Sequence, residues 1–485
     1  MKYFFSKNKP QEECGVFGIS DHNEAAKLTV LGLHALQHRG QDSAGMVTSD
    51  HNNFFAHRGM GQVSEVFSDN KLLNELKGKI CIGHNRYGTT GESALKNVQP
   101  LFSELNIGGI AIAHNGNLTN THKLKDQLIK SGSIFQSTSD TEVILHLIST
   151  AKGTLIERLI YALHSISGAF SLILMTNDTL IAVRDPFGIR PLVLGKLDES
   201  FVLSSESCGL DIIGAELVRD IEPGEIVVIK KNTIESVRPF KKTKLRPCLF
   251  EYIYFSRPDS ILQGRNVYDV RKKIGYQLAK ENLGDRQLVD IVVPIPDSGN
   301  ASALGYAEKI KKPFEFGIIR NHYTGRTFIQ DSHSIRNLSV KLKHNPNLSS
   351  LKNKNVALID DSIVRGTTSV KIVEMLRNSG VKKIHMRIAS PPVKHPCFYG
   401  IDTPTKEELL ASKYSINQIK EFIGVDSIKF ISLDGVYRAL GYHVGRDEKD
   451  PKFTDHYFSG DYPVELIDQK SGTIPSQLSL LIETK

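Results

Sequence analysis

The segment NVALIDDSIVRGTTS, residues 355–369, sets two adjacent carboxylates, Asp360 and Asp361, at the end of an apolar run. Neighbouring carboxylates repel unless hydroxyls or a cation share their charge. A Gly/Ser/Thr loop, 362–368, follows and opens a helix. Its backbone N–H groups, the hydroxyls of Ser362, Thr367 and Thr368, and Arg365 can face an anion, and Gly366 lets the main chain come close. Carboxylates for hydroxyls, beside an N–H cradle for a phosphate, suit a ribose 5-phosphate. A plain capped helix after a strand is the bland alternative. A second loop, VVPIPDSGN (292–300), carries Asp297, Ser298 and Gly299 after an apolar run, where a β-turn would serve as well. Near the start, EECGVFG (12–18) places Cys14 ahead of a Gly-containing apolar strand, as a nucleophile or as a small buried hydrophobe.

The elements that must hold these residues change character along the chain. Short β-patterns dominate from 14 to about 235, as in 15–20, 79–84, 108–117, 170–176, 179–185 and 225–231, with helical patterns at 24–37, 122–131 and 140–151. Strands with a few helices imply a layered α+β domain, 14–237. A Lys-rich stretch, RPFKKTKLRP, marks a linker, 238–250, and a second domain, 251–450, follows with a C-terminal segment, 451–485. There 289–296 and 355–362 read as strands buried on both faces of a parallel sheet, and 382–390 as the next. Between the last two, 368–379 shows Val370, Val373 and Leu376 on one helical face, with Gly380 suited to a C-terminal cap. Such βαβ units put a ligand at the carboxyl ends of the strands.

Composition narrows the class. A chain of 485 residues with 40% hydrophobic and 24% charged content is an ordinary globular protein of two or three domains. The net charge of +8 is spread out, with no basic–aromatic groove for nucleic acid. Five scattered cysteines without a CxxC, no signal-like apolar run and no 18-residue apolar stretch point to a cytoplasmic protein without a membrane span.

The start of the chain resembles the class II glutamine amidotransferases, and 355–369 with 292–300 resembles type I phosphoribosyltransferases. Both in this order, from about 12 to about 465, resemble the amidophosphoribosyltransferases. The resemblance implies an N-terminal-nucleophile αββα sandwich followed by an α/β phosphoribosyltransferase domain. It implies that Cys14 becomes the first residue once a propeptide, 1–13, is removed. A thiol of pKa about 8.5 is slightly ionised at neutral pH, and a free α-amine of pKa about 8 on the same residue can take its proton. In AHNGN (113–117), otherwise an Asn-Gly turn, Asn115 and Gly116 would form the oxyanion hole. Arg86 would meet the α-carboxylate of glutamine and Asp140 its α-amine, with Arg39 and Gly40 beside the nucleophile.

In the second half, phosphoribosyl pyrophosphate (PRPP) would sit on Asp297–Gly299 and on 360–368. Mg²⁺ would be held by Ser298, Asp360 and Asp361, and a basic lid, 320–343, would carry Arg326. Glutamine and PRPP would be the substrates, purine nucleotides the inhibitors, and a homotetramer the assembly. Relatives with a propeptide commonly hold a [4Fe–4S] cluster, but here two ligand positions, Cys248 and Cys397, remain, while Thr454 and Tyr457 stand at the others. No cluster is expected, and His456 is expected as a surface residue. Another class II amidotransferase, or a non-catalytic PRPP- or nucleotide-sensing regulator on the same scaffold, are the alternative readings.

Overall fold

The computed structural model describes residues 14–87, 94–231, 233–321, 344–401, 403 and 405–470. The first thirteen strands are β1 (Cys14–Ile19), β2 (Ser43–Ser49), β3 (Phe54–Met60), β4 (Ile80–Arg86), β5 (Leu101–Leu105), β6 (Gly108–Leu118) and β7 (Gly168–Met175). They continue as β8 (Leu180–Arg184), β9 (Val193–Leu197), β10 (Ser200–Ser204), β11 (Glu216–Asp220), β12 (Ile226–Lys230) and β13 (Thr233–Val237). One sheet has the order β11-β9-β10-β1-β4-β2-β3, the other β13-β12-β8-β7-β6-β5.

Alternation along each strand builds four layers. In β1, Val16 faces the second sheet, joining Ile82, Ala113 and Ile173, whereas Phe17 and Ile19 face the helix Ala25–Ala35. In β6, Ala111 and Ala113 point between the sheets, and Ile110 and Ile112 pack beneath the helices Asp140–Thr150 and Leu155–Ser165. Strands apolar on both faces lose the polar alternation of an exposed sheet, so they read in sequence as unbroken apolar runs. This is the αββα sandwich.

Residues 244–248 are pinned to 186–189. Lys244, Arg246 and Cys248 donate backbone N–H groups to the carbonyls of Pro186, Phe187 and Ile189. The chain then enters a short π-helical turn, Glu251–Phe255, and the hairpin β14 (Ile261–Leu262), β15 (Arg265–Asn266). A four-stranded parallel sheet follows, in the order β16 (Ile291–Pro294), β19 (Asn355–Asp360), β20 (Lys383–Ile388), β21 (Ser427–Phe430). The pair β17 (Ile318–Arg320), β18 (His344–Pro346) stands apart from it. Ile384, Met386 and Ile388 are all buried, and the helix Thr367–Asn378 returns over the sheet with Val373 and Leu376 inward.

The C-terminal segment runs back to the first domain. Asp468 accepts from the N–H groups of His122 (2.9 Å) and Lys123 (3.2 Å), at the start of the helix Thr121–Lys130. A carboxylate there satisfies N–H groups that lack a helical partner.

Candidate active site

Cys14 opens β1, and its antiparallel register sets it opposite Arg86 on β4. Both are buried. Gly40 lies flat on that strand: a Cβ there would stand 2.6 Å from the carbonyl carbon of Asn85 and 2.7 Å from the nitrogen of Arg86. Any side chain at 40 would therefore displace the residue expected to bind a carboxylate. Arg39 is fully buried, and its Nε donates to the Cys14 carbonyl at 3.1 Å. The rest of its fork is taken up by Glu206 and Glu251. Its guanidinium thus holds the Cys14 main chain from behind.

Asn115 and Gly116 lie inside β6, opposite Ser171 and Phe170 of β7, and form no hairpin turn. Gly116 has φ +144°, and a Cβ would meet the Ala169 carbonyl oxygen at 2.1 Å, so glycine is required. The Asn115 amide is fully buried, and neither its Oδ1 nor its Nδ2 has a partner among the described residues. Leaving buried polar atoms unpaired costs about 1–3 kcal/mol each, and a ligand oxygen beside Nδ2 would pair it.

Two further histidines bind this region together. His84 on β4 lies 3.2 Å from the His114 carbonyl on β6, joining the two sheets. Burial, reinforced by the nearby Arg86 charge, pushes the His84 imidazole down to about 3, so it is neutral and Nε2 donates. Asp140 begins its helix behind the cap Ser139. It accepts from the Leu118 N–H at 3.1 Å and lies 3.4 Å from His114 Nδ1. Burial alone would raise its carboxyl, but His114, the Leu118 N–H and Arg86 hold it below its ordinary value. A buried cation and a buried anion within each other's field suit the two charged ends of an amino acid.

The second site forms where β16 and β19 end side by side, with Pro294 opposite Ile359. Asp360 and Asp361 are buried there. The Asp361 N–H donates to Asp360 Oδ1 at 3.0 Å, and Ser362 Oγ donates to Asp361 Oδ2 at 2.6 Å. The 295–299 loop lies alongside: Ile295 N–H donates to the Ile359 carbonyl at 2.8 Å, and a Cβ on Gly299 would approach that oxygen to 2.6 Å. The Pro296–Asp297 peptide is cis. Asp297 pairs with Arg320 at the end of β17. Gly366 caps the helix Thr367–Asn378 with φ +75°. Arg365 reaches Glu408 at 3.1 Å. Arg326 and nearly all of the expected lid, 322–343, lie outside the described residues. Among those described, no group of three or more His, Cys, Asp or Glu side chains is gathered for a metal.

Cys248, Cys397, Thr454 and Tyr457 come together at the seam between the linker and the C-terminal segment. The Tyr457 hydroxyl lies 3.3 Å from each sulfur, and Thr454 Oγ1 donates to the Arg246 carbonyl at 2.6 Å. Burial pushes the Cys248 thiol up to about 11, so it stays protonated. Two thiols, a phenol and a hydroxyl do not fit a cluster that needs four thiolates. The expectation of a surface His456 is corrected. Its ring is fully buried among Tyr399, Tyr457 and Tyr462, and burial drives it to the neutral form. Aromatic packing, invisible as local sequence polarity, holds it there.

Glu206, Glu251, His84 and His114 were not assigned from sequence. Glu206 and Glu251 sit within SSES and EYIYF, but their partner Arg39 is 167 and 212 residues away, and no local pattern spans that distance. His84 ends the 79–84 β-pattern two residues before Arg86, and His114 precedes Asn115 in AHNGN.

The fold and the paired sites define a glutamine amidotransferase joined to a phosphoribosyltransferase. Residues 84–211 match the glutamine amidotransferase domain family, and 258–390 match the phosphoribosyl transferase domain family. An amidophosphoribosyltransferase of Rhizobium etli is 52% identical, covering 97% of this chain and 95% of its own. One from Bacillus subtilis is 45% identical over 94% and 95%. The solved Bacillus subtilis glutamine PRPP amidotransferase, complexed with ADP and GMP, superposes with a TM-score of 0.88 at 44% identity, covering 93% of this chain and 98% of that one. The chain belongs to the amidophosphoribosyltransferase family.

Proposed function

We propose that Cys14, freed as the first residue, attacks the side-chain amide of glutamine, and that the ammonia released aminates PRPP at the second site. The products are glutamate, 5-phosphoribosylamine and pyrophosphate, and the reaction is the first committed step of purine synthesis. The observation that carries the residue assignment is the buried amide of Asn115, without a partner among the described residues, on the strand tied by His84 to the Cys14–Arg86 pair.

Arg86 receives the α-carboxylate of glutamine and Asp140 its α-ammonium, which aims the amide carbon at Cys14 Sγ. The α-amine of Cys14 takes the thiol proton, and the thiolate adds to the carbonyl. Asn115 Nδ2 and the Gly116 N–H stabilise the oxyanion. Collapse expels ammonia and leaves a thioester that water cleaves to glutamate. Arg39 and Gly40 serve this site from behind, through the Cys14 carbonyl and the Arg86 backbone.

At the second site the 362–368 loop, with Ser362, Arg365, Gly366, Thr367 and Thr368, cradles the 5-phosphate, and Asp360 and Asp361 accept from the ribose hydroxyls. Asp297, Ser298 and Gly299 face the pyrophosphate. The oxygens of Ser298, Asp360 and Asp361 suit Mg²⁺ and would hold it. Mg²⁺ there would supply positive charge to the pyrophosphate leaving group. Arg326 is assigned to the closing lid. The Bacillus complex with ADP and GMP supports purine nucleotides as inhibitors. A cytoplasmic homotetramer is the proposed form.

While Met1–Glu13 remain attached, the Cys14 nitrogen is an amide and cannot act as a base. Intact-mass measurement of active protein is expected to show their loss. Full glutamine-dependent activity in chains that retain them would contradict the terminal-amine mechanism.

A further inference from the structure

Behind Cys14 lies a buried charge network in which Arg39 already has a part in the proposed reaction and Arg190, Glu206 and Glu251 do not. Arg39 and Arg190 face Glu206 and Glu251, and the exposures of all four are at or near zero. Two buried cations thus meet two buried carboxylates, and His38 Nε2, partly exposed, lies 2.7 Å from Glu206 Oε1. Glu206 comes from the first domain. Glu251 opens the π-helical turn that begins the second domain, and such turns recur at functional sites.

The geometry is directional. Glu251 Oε1 and Oε2 accept from Arg39 NH2 at 2.9 Å and NH1 at 3.2 Å, a two-point grip that sets the plane of the guanidinium. In that plane the remaining Nε–H meets the Cys14 carbonyl at 3.1 Å. Ser256 Oγ in turn donates to Glu251 Oε2 at 2.6 Å. Arg271 fastens the same turn, donating to the carbonyls of Tyr252 at 3.0 Å and Ser256 at 2.7 Å. The carbonyl of Arg271 accepts from Ser302 Oγ at 3.1 Å, in the helix Asn300–Ile310 that starts directly after Gly299.

We propose that Glu251 is a positioning residue for the nucleophile: through Arg39 it fixes the Cys14 main chain, and it ties that geometry to the phosphoribosyltransferase domain. The inference rests on the proposed role of Cys14.

The test is Glu251→Gln in the full-length processed enzyme. Glutamine hydrolysis is expected to lose about tenfold or more in kcat, with KM within about twofold, since small misplacements of a reacting group are costly. Ammonia-dependent pyrophosphate release should stay within about twofold, and the rate at which iodoacetamide alkylates Cys14 should shift at least about threefold. Arg190→Gln combined with Glu251→Gln restores the network's net charge, and kcat should remain low. Recovery of kcat in that pair would reduce Glu251 to charge balance and overturn the proposal. So would an unchanged kcat with unchanged alkylation, or equal loss of both activities. Should Glu251→Gln fail to fold, Ser256→Ala keeps every charge and should still lower kcat for glutamine alone by about threefold; no loss there would also overturn it. A wild-type enzyme that releases no pyrophosphate with either nitrogen source would instead refute the proposed function, while the alkylation comparison still tests Glu251.

Discussion

The proposed chemistry of the first site turns on the Asn115 side chain. Its amide is buried with both polar atoms unpaired among the described residues, and in the proposed mechanism Nδ2 donates to the oxyanion. Asn115→Ala is expected to lower kcat for glutamine by about 10²–10³ with little change in KM, and ammonia-dependent synthesis should be untouched. Steady-state assays with the two nitrogen sources check this; a matched loss in both would place Asn115 outside the oxyanion hole. At this scale the sequence was most informative where neighbouring residues share a motif. Asp360 and Asp361 could be singled out from their own surroundings, whereas Cys14 and Asn115 read alone as a buried thiol and an Asn-Gly turn and were named through the family resemblance. Arg39 could be placed near the nucleophile, but its contacts with Glu206 and Glu251 come from distant segments and had no local signal.

At the scale of elements, strands that carry chemistry were legible because both faces are apolar, as in β6, β7 and β19. β2, with its sequence SAGMVTS, was not, because small polar residues fill a fully buried strand. The helix Leu155–Ser165 carries a complete capping box, Thr154 with Glu157, and was passed over although its signal is strong. His84 shows what a contact between elements contributes. Its imidazole titrates near pH 6.5 when unfolded and is pushed down to about 3 in the fold. Below pH 6.5 the unfolded chain therefore binds the extra proton, so this contribution to stability is present above 6.5 and is lost as pH falls toward 3. Between pH 6.5 and 4.5, above the ordinary carboxylate range, the urea midpoint of the wild type should fall more steeply than that of His84→Gln; parallel slopes would contradict the burial of a neutral His84. The paired carboxylates at the end of β19 act as one element too. Asp360→Asn with Asp361→Asn should raise the half-saturating concentrations of PRPP and Mg²⁺ together, each by about tenfold or more. Unchanged PRPP saturation would count against the cradle.

For the whole molecule, the two domains are joined by more than a linker. The linker pairs with 186–189, the C-terminal segment pairs with the linker at Cys248 and Thr454, and Asp468 caps a helix of the first domain. Tyr457 stands between two thiols at the centre of this seam, in a donor set that does not fit a four-thiolate cluster. Iron and sulfide analysis of protein purified without air should find neither in stoichiometric amount, whereas about four irons per chain would overturn this. The order of the two domains was readable from motifs and the family resemblance they carry; the seam was not, because its contacts join segments 60 to 346 residues apart. The proposed function needs two separable sites, one to make ammonia and one to use it. The most direct test measures pyrophosphate release from PRPP by the wild type and by Cys14→Ser, each with glutamine and with ammonia. The wild type should use both, and Cys14→Ser should lose glutamine while keeping ammonia. Equal loss of both, or retained use of glutamine, would contradict it.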